Sequence, residues 1–371
     1  MIYYFTYNDS PSGVYGSQVA GVCDYIQENS NQKVKLIALI SIRGFFKNKR
    51  LIHELYANAL VLPMYPKPKN WRKNKRLIRL FLRGKKDAVI ICRGIFSNCI
   101  AREIGKFKSV VFDGRGAYAA EFKEYITKTG IADSIENLER QAVMESDFRI
   151  AVSHALVAYW QKQFNYQLND HVIIPCTLNR IKTDFTEADV ALARKKHGFG
   201  QDDIVYIYAG SIADWQSKDL MDEFCARILS ENNCAHCLFL SQYDITSFDA
   251  FETYGNRMHQ MWVKPSEVSD VLLAGDYGLM LRENSITNSV ASPTKYAEYL
   301  LAGLKVILSN NIGDFSTNAI EDNTGCIYTK ESMVLSTISF SEKQRLSAFA
   351  ADNFSKEKYK EEYQKVINLG L

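Results

Sequence analysis

The feature that most constrains this chain is a repeated unit. A short apolar run ends in a polar or glycine-bearing turn, and a stretch of helical periodicity follows. The first series of runs is Met1–Thr6, Lys33–Ile42, Ala59–Pro63, Asp87–Cys92, Ser109–Phe112, Phe148–Val152 and His171–Pro175. The second is Ile204–Tyr208, Cys237–Leu240, Met261–Val263, Tyr277–Leu281, Lys305–Leu308 and Gly325–Tyr328. Runs this short, mostly apolar and bounded by turn residues, read as buried strands. Strand, turn and helix in rotation define an α/β protein built from Rossmann-like units. The two series divide 371 residues into two halves of ordinary domain size. In such sheets ligands bind just beyond the carboxyl ends of the strands, so the turns after each run are where chemistry is sought.

Composition excludes several classes. Hydrophobic residues make up 47% and aromatics 12%, which argues against disorder. The net charge of +3 is too small to define a partner by itself. The chain begins MIYYFTYNDS, with no secretory pattern. No apolar run approaches the roughly 20 residues that span a bilayer. The expectation is a cytoplasmic, reducing environment. Cys234 and Cys237 have metal-ligand spacing, but no second pair lies near and the segment runs into the apolar CLFL. A core strand is expected there, with no metal and no cofactor. No fixed-period repeat or low-complexity segment is evident.

Charge is concentrated in one place. Lys67–Lys86 holds ten Lys/Arg and no acid, interleaved with Leu77, Ile78, Leu80, Phe81 and Leu82 and led by Trp71. A basic amphipathic helix with an aromatic reads as a contact for an anionic membrane surface, where each cation contributes roughly 1 kcal/mol. The other reading is a solvated helix whose apolar face packs on its own domain. Arg43, Lys47, Lys49 and Arg50, near Phe45 and Phe46, extend the patch. No nucleic-acid motif accompanies it, and a nucleic-acid partner is not expected.

Several turns carry candidate ligand groups. The Ser12–Gln18 loop has Gly13, Gly16 and Ser17; it is either a close-approach loop for a ligand or a plain strand-to-helix turn. Arg93 and Arg115 follow strands and suit a diphosphate or an anionic acceptor. Asp113 and Arg115 are either an ion pair or functional groups. His154 is expected to hold local structure. Most informative is Arg282–Ile307, RENSITNSVASPTKYAEYLLAGLKVI. Ser292 and Pro293 suit the start of a helix and Gly303 its end. Lys295 and Glu298 fall within that helix. Its N–H groups and dipole favour phosphate, and the carboxylate suits a ribose diol.

SPTKYAEYLLAGLKVI resembles the donor-binding signature of GT-B glycosyltransferases, particularly the retaining family 4. The resemblance implies two Rossmann-like domains facing a central cleft, with a C-terminal helix crossing back to the first domain. It divides the chain into an acceptor domain at 1–175, a nucleotide-sugar domain at 176–345 and the returning helix at 346–371. Glu298 matches the second acid of the signature. The first acid position falls on Val290, with Glu283 upstream. The Gly-Arg and Lys that hold the diphosphate in the family correspond to Gly210, Ser211 and Gln216, with Lys218 two residues on. DGRGAY at Asp113–Tyr118 resembles a segment beside the cleft. The resemblance thus implies donor contacts from Gly13, Gly16, Ser17, Gly210, Ser211, Lys218, Arg282, Ser292, Thr294, Lys295 and Glu298. Asp113, Arg115 and Glu121 are the catalytic candidates. The implied activity is sugar transfer from a nucleotide-sugar to a glycan or lipid-linked acceptor in bacterial surface polysaccharide synthesis (capsule, lipopolysaccharide or exopolysaccharide), at the inner face of the plasma membrane. A sugar-nucleotide epimerase and a non-catalytic partner subunit on the same fold are the alternatives.

Overall fold

The computed structural model describes residues 1–66, 68–126, 132–179, 181–210, 216–242, 244–329, 331 and 335–371, without the side chains of 68, 69, 132 and 133. Two compact units emerge. The first comprises Met1–Asn179, Val290–Ser292 and Lys356–Leu371; the second comprises Arg180–Ser289 and Pro293–Ser355.

The first unit is built on strands β1 (Ile2–Tyr7), β2 (Val34–Ile40), β3 (Leu60–Pro63), β4 (Val89–Arg93), β5 (Ser109–Gly114), β6 (Phe148–Ala151) and β7 (His171–Ile173). They form one sheet in the order β3-β2-β1-β4-β5-β6-β7, and every pairing is parallel. Side chains alternate across the sheet. Tyr3, Phe5 and Ile90 face one apolar cluster, and Ile2, Tyr4 and Val89 face the other. Burial on both faces explains why these runs show no polar alternation. The strand order reverses between β1 and β4, so the turns after those strands flank the switch point.

The last helix, Lys360–Asn368, belongs to this unit. Its Tyr363, Val366 and Ile367 fill the second cluster. Val290 is 2% exposed within the first cluster, and its carbonyl accepts a 2.8 Å bond from the Ser153 hydroxyl. Val290, at the position of the signature's first acid, is thus a core residue.

The second unit has β8 (Ile204–Ala209), β9 (Ala235–Leu240), β10 (Met258–Met261), β11 (Tyr277–Met280), β12 (Lys305–Leu308) and β13 (Gly325–Ile327). The order is β10-β9-β8-β11-β12-β13, again parallel throughout, with the switch point between β8 and β11. Cys237 lies in β9, buried, as a core strand requires. Asp276 ties several segments together. It accepts from Arg194 Nη1 at 3.2 Å, Val205 N at 2.9 Å and Ile338 N at 3.0 Å.

Three local expectations need correction. Ser12–Gln18 is not an open loop. Ser12 caps a helical turn over Gly13–Tyr15, its hydroxyl accepting from Tyr15 N, and a π segment runs over Gly16–Ala20 before the α-helix Gly21–Glu28. Gly13, Gly16 and Ser17 therefore sit in the first turns of a helix. Strand β10 ends at Met261, and Trp262 beyond it is 61% exposed, so the expected Met261–Val263 run lies at its close. Ser292 does not cap the helix after it, because its hydroxyl accepts from Cys176 N at 3.0 Å in the first unit. Pro293 occupies the cap position of helix Thr294–Leu301, which has no side-chain cap.

Candidate functional site in the second unit

Helix Thr294–Leu301 is held to its sheet by Tyr299. The Tyr299 ring packs where a Cβ on Gly278 of β11 would stand, 2.3 Å from its ring carbons. Its hydroxyl accepts from Ala209 N at 2.9 Å, at the end of β8. The helix closes with paired bonds, Gly303 N to Leu300 O and Leu304 N to Tyr299 O, and Gly303 takes φ +79°. That is the left-handed termination its sequence indicated. Sheet and helix are thereby locked together, so side chains from the helix reach the turn after β8.

Lys295 is the centre of that arrangement. Its Nζ donates to Gln216 Oε1 at 3.0 Å and to Tyr208 Oη at 3.2 Å, and it lies 4.3 Å above the Tyr208 ring. Tyr208 in turn donates to Gln216 Oε1 at 2.8 Å. Gly210 takes φ +134°, and a Cβ there would meet Lys295 Nζ at 2.6 Å. Only glycine leaves room for the ammonium. Burial and then the nearby charge of Arg282 push the Lys295 pKa down to about 7, against a partial upward pull from Glu298. A lysine held this way is poised to gain a proton when an anion arrives. Where the signature leads one to expect a lysine, Gln216 stands, and Lys295 brings its ammonium to that side chain.

Glu298 lies three residues on, within one helical turn of Lys295. Its pKa is raised by burial and lowered in part by Lys295. The side chain still reaches solvent. Arg282, 8% exposed after β11, donates to Asn288 Oδ1 at 3.2 Å, and its backbone N–H donates to Ser309 Oγ. Thr294 is buried at the start of the helix. Lys218 is turned to its own surroundings, donating to Ser247 O at 2.9 Å and lying 5.6 Å over Phe248. Ser211 lies outside the described residues. The second unit therefore brings together Gly210, Arg282, Lys295 and Glu298 with Tyr208 and Gln216. The last two were not singled out as ligand groups. An aromatic hydroxyl inside a strand gives no sequence signal of such a role.

The candidates in the first unit fall differently. Asp113 is fully buried in β5. Arg115 clasps it with Nε at 2.7 Å and Nη2 at 3.0 Å, and Tyr4 Oη donates to the same carboxylate. Asp113 and Arg115 thus form an internal ion pair, and this carboxylate is closed to a substrate proton. Glu121 is half-buried on helix Tyr118–Glu124, its pKa raised by burial and by Glu124. His154 opens the helix His154–Phe164, whose cap is Ser153. Among the described residues, no group of three or more His, Cys, Asp or Glu could hold a metal ion.

No protein-family model matches this chain, and no curated protein matches it. Its fold does have solved counterparts. HepE from Anabaena, solved in complex with UDP and glucose, superposes with a TM-score of 0.72 at 11% identity over 99% of each chain. WaaB, a lipopolysaccharide outer core galactosyltransferase, gives 0.65 at 12% identity over 100% of each. WaaG, a glycosyltransferase involved in lipopolysaccharide biosynthesis, gives 0.64 at 12% identity over 100% of this chain and 95% of its own. Two Rossmann-like units, each with a parallel sheet, give this protein the GT-B fold of those enzymes.

Proposed function

We propose that this protein is a glycosyltransferase that uses a nucleotide-sugar donor. The observation that carries the reading is the Lys295–Gln216–Tyr208 triangle beside Gly210 at the switch point of the second sheet, with Glu298 one turn along the helix. Lys295 and Arg282 neutralise the diphosphate, and the glycine lets it approach the backbone. Glu298 accepts the ribose hydroxyls. Glycosyl transfer asks a protein mainly to steady the leaving diphosphate and to place an acceptor hydroxyl within reach. Basic side chains suffice for the first task, so no metal or cofactor is invoked. Retention of anomeric configuration follows from the family 4 resemblance. The fold neighbours named for lipopolysaccharide synthesis support a role in bacterial surface polysaccharide, with a glycan or lipid-linked acceptor.

Attachment to the inner face of an anionic membrane belongs to the same reading. No helix among the described residues is long and apolar enough to cross a membrane. Helix Asn74–Leu82 buries Ile78 and Leu82 in its own unit, and Arg72 and Lys75 pair with Glu103. Leu80 at 77% and Phe81 at 42% stay exposed among Arg76, Arg79 and Arg83. Within the Lys67–Lys86 stretch, this helix packs on its own unit and keeps a second, basic face that we assign to lipid; Lys67 itself lies outside the described residues.

The test is sugar transfer or donor turnover measured across labelled nucleotide-sugars. Glu298→Ala is expected to raise the donor KM at least tenfold while the protein stays folded. Unchanged kinetics would remove the ribose role from Glu298. Turnover of donor to an epimer with no acceptor present would favour the epimerase instead.

A further inference from the structure

Beyond the donor site, the first unit has a recess of its own at the switch point of its sheet. Its cavity volume is about 120 Å³, and Tyr7, Asp9, Arg93, Phe96, Arg115 and Tyr118 line it. Asp9 follows β1, Arg93 ends β4 and Arg115 follows β5, so three neighbouring strand ends supply its polar groups. Gly94, at φ +82°, lets Tyr118 close one side, for a Cβ there would stand 2.9 Å from the Tyr118 hydroxyl.

Two properties define what fits. The first is charge. Arg93 Nε lies 3.4 Å from Asp9 Oδ2, and Arg93 Nη1 lies 3.9 Å from Asp113 Oδ2, while Arg115 is clasped by Asp113. Two guanidinium groups are therefore balanced by two carboxylates. A diphosphate or acidic sugar, which the arginines alone would suggest, meets Asp9 with no spare positive charge to offset it. The second is hydrogen bonding. Among the described residues, Arg93 Nη1, Arg115 Nη1 and Asp9 Oδ2 are buried atoms that make no hydrogen bond. Unfilled donors beside an unfilled acceptor call for a ligand that both gives and takes hydrogen bonds. Hydroxyl groups do so, and the rings of Tyr7 and Phe96, 5.1 Å apart, offer an apolar wall for C–H faces.

We propose that this recess binds one uncharged sugar ring, with Asp9 accepting hydroxyl protons and the Nη1 groups of Arg93 and Arg115 donating to hydroxyl oxygens. The proposal rests on the glycosyltransferase reading only for taking the polyol to be a sugar. Asp9 is the residue that sets the preference, because it cancels the charge of Arg93.

Saturation-transfer NMR on the full chain tests this. The probes are the methyl glycosides of glucose, galactose, mannose and N-acetylglucosamine, with glucuronic acid and glucose 1-phosphate as anionic counterparts. At least one neutral glycoside is expected to bind, and to bind more tightly than either anion. Asp9→Asn, which keeps shape and drops one negative charge, is expected to weaken the glycoside roughly tenfold or more and to improve the anions. Repeating the titration with a nucleotide-sugar present separates the two sources of sugar: persistence marks an acceptor ring, and competition marks the donor's own. Binding by the anions alone, no glycoside binding, or an Asp9→Asn variant that binds as the parent does would each overturn the proposal. Glycoside binding in a protein that binds no nucleotide would leave the recess standing and remove the transferase reading.

Discussion

At the scale of single residues, Lys295 is the group most open to test. Its pKa of about 7 lies below the ordinary lysine value, so the folded protein holds this proton less tightly than the unfolded chain. The group's contribution to stability is therefore least below pH 7 and rises as pH climbs toward the unfolded value near 10.5. An anion beside it reverses the preference and draws a proton in. Nucleotide binding at pH 7.5 is expected to take up a fraction of a proton, read from calorimetric enthalpies in buffers of different ionisation heat. Affinity is expected to fall by up to about tenfold per pH unit above 7. Lys295→Met should abolish both effects; proton uptake that persists in that variant would assign the titration elsewhere. Gly210→Ala is a steric test of the same place. A methyl group 2.6 Å from Nζ, on a backbone at φ +134°, should cost about 1–3 kcal/mol and weaken nucleotide binding. Parent-like melting and binding would mean that the ammonium does not sit there. The helix that carries Lys295 and Glu298 was legible in the sequence because Pro293 and the terminator Gly303 bracket it within one segment. Gln216 and Tyr208 were not, because their part depends on a lysine some eighty residues away reaching back to them.

At the scale of elements, the helix Tyr118–Glu124 shows how a segment is held without a cap of its own. Glu139, fully buried on helix Ala132–Glu145, accepts from Tyr118 N at 3.1 Å and Ala119 N at 2.7 Å. Burial raises its pKa to about 8, with those two bonds pulling the other way. Because the folded pKa exceeds the unfolded one, the stability it contributes is fullest below about pH 4.5 and is lost as pH rises through 8. Glu139→Gln should flatten that part of the stability curve, and Glu139→Ala should cost about 1–3 kcal/mol by leaving both N–H groups without acceptors. Urea melts across pH 5 to 9 measure both, and an unchanged slope in the Gln variant would show that Glu139 does not titrate in this range. Nothing in the sequence marks this link, since a capping group from another helix leaves no local pattern. The same limit explains Ser292. Serine before proline suggests a cap, but Cys176 N claims the hydroxyl.

At the scale of the molecule, the strand runs were legible nearly throughout, because burial on both faces forces them to be short and apolar. Their order was not, since only the tertiary pairing fixes which strands flank a switch point. That order places Gly210 and Arg282 at one switch point and Asp9 and Arg93 at the other. The Asp113–Arg115 pair was one of the two readings the sequence allowed, but Asp9 beside Arg93 was not, since the two stand on different strand ends. The exposed cations of Arg76, Arg79 and Arg83 beside Leu80 carry the expectation of lipid contact. Vesicles rich in anionic lipid should retain the protein, with retention falling steeply as salt rises and lost when those three arginines become glutamine. Equal retention on neutral vesicles would contradict it.

The most direct measurement is isothermal calorimetry of the full chain against UDP, GDP, ADP, CMP and dTDP and their sugar conjugates. One nucleotide and its conjugate should bind, and Glu298→Ala and Lys295→Met should each remove most of the affinity. Absence of binding by every nucleotide, with the protein folded, would contradict a donor site in the second unit.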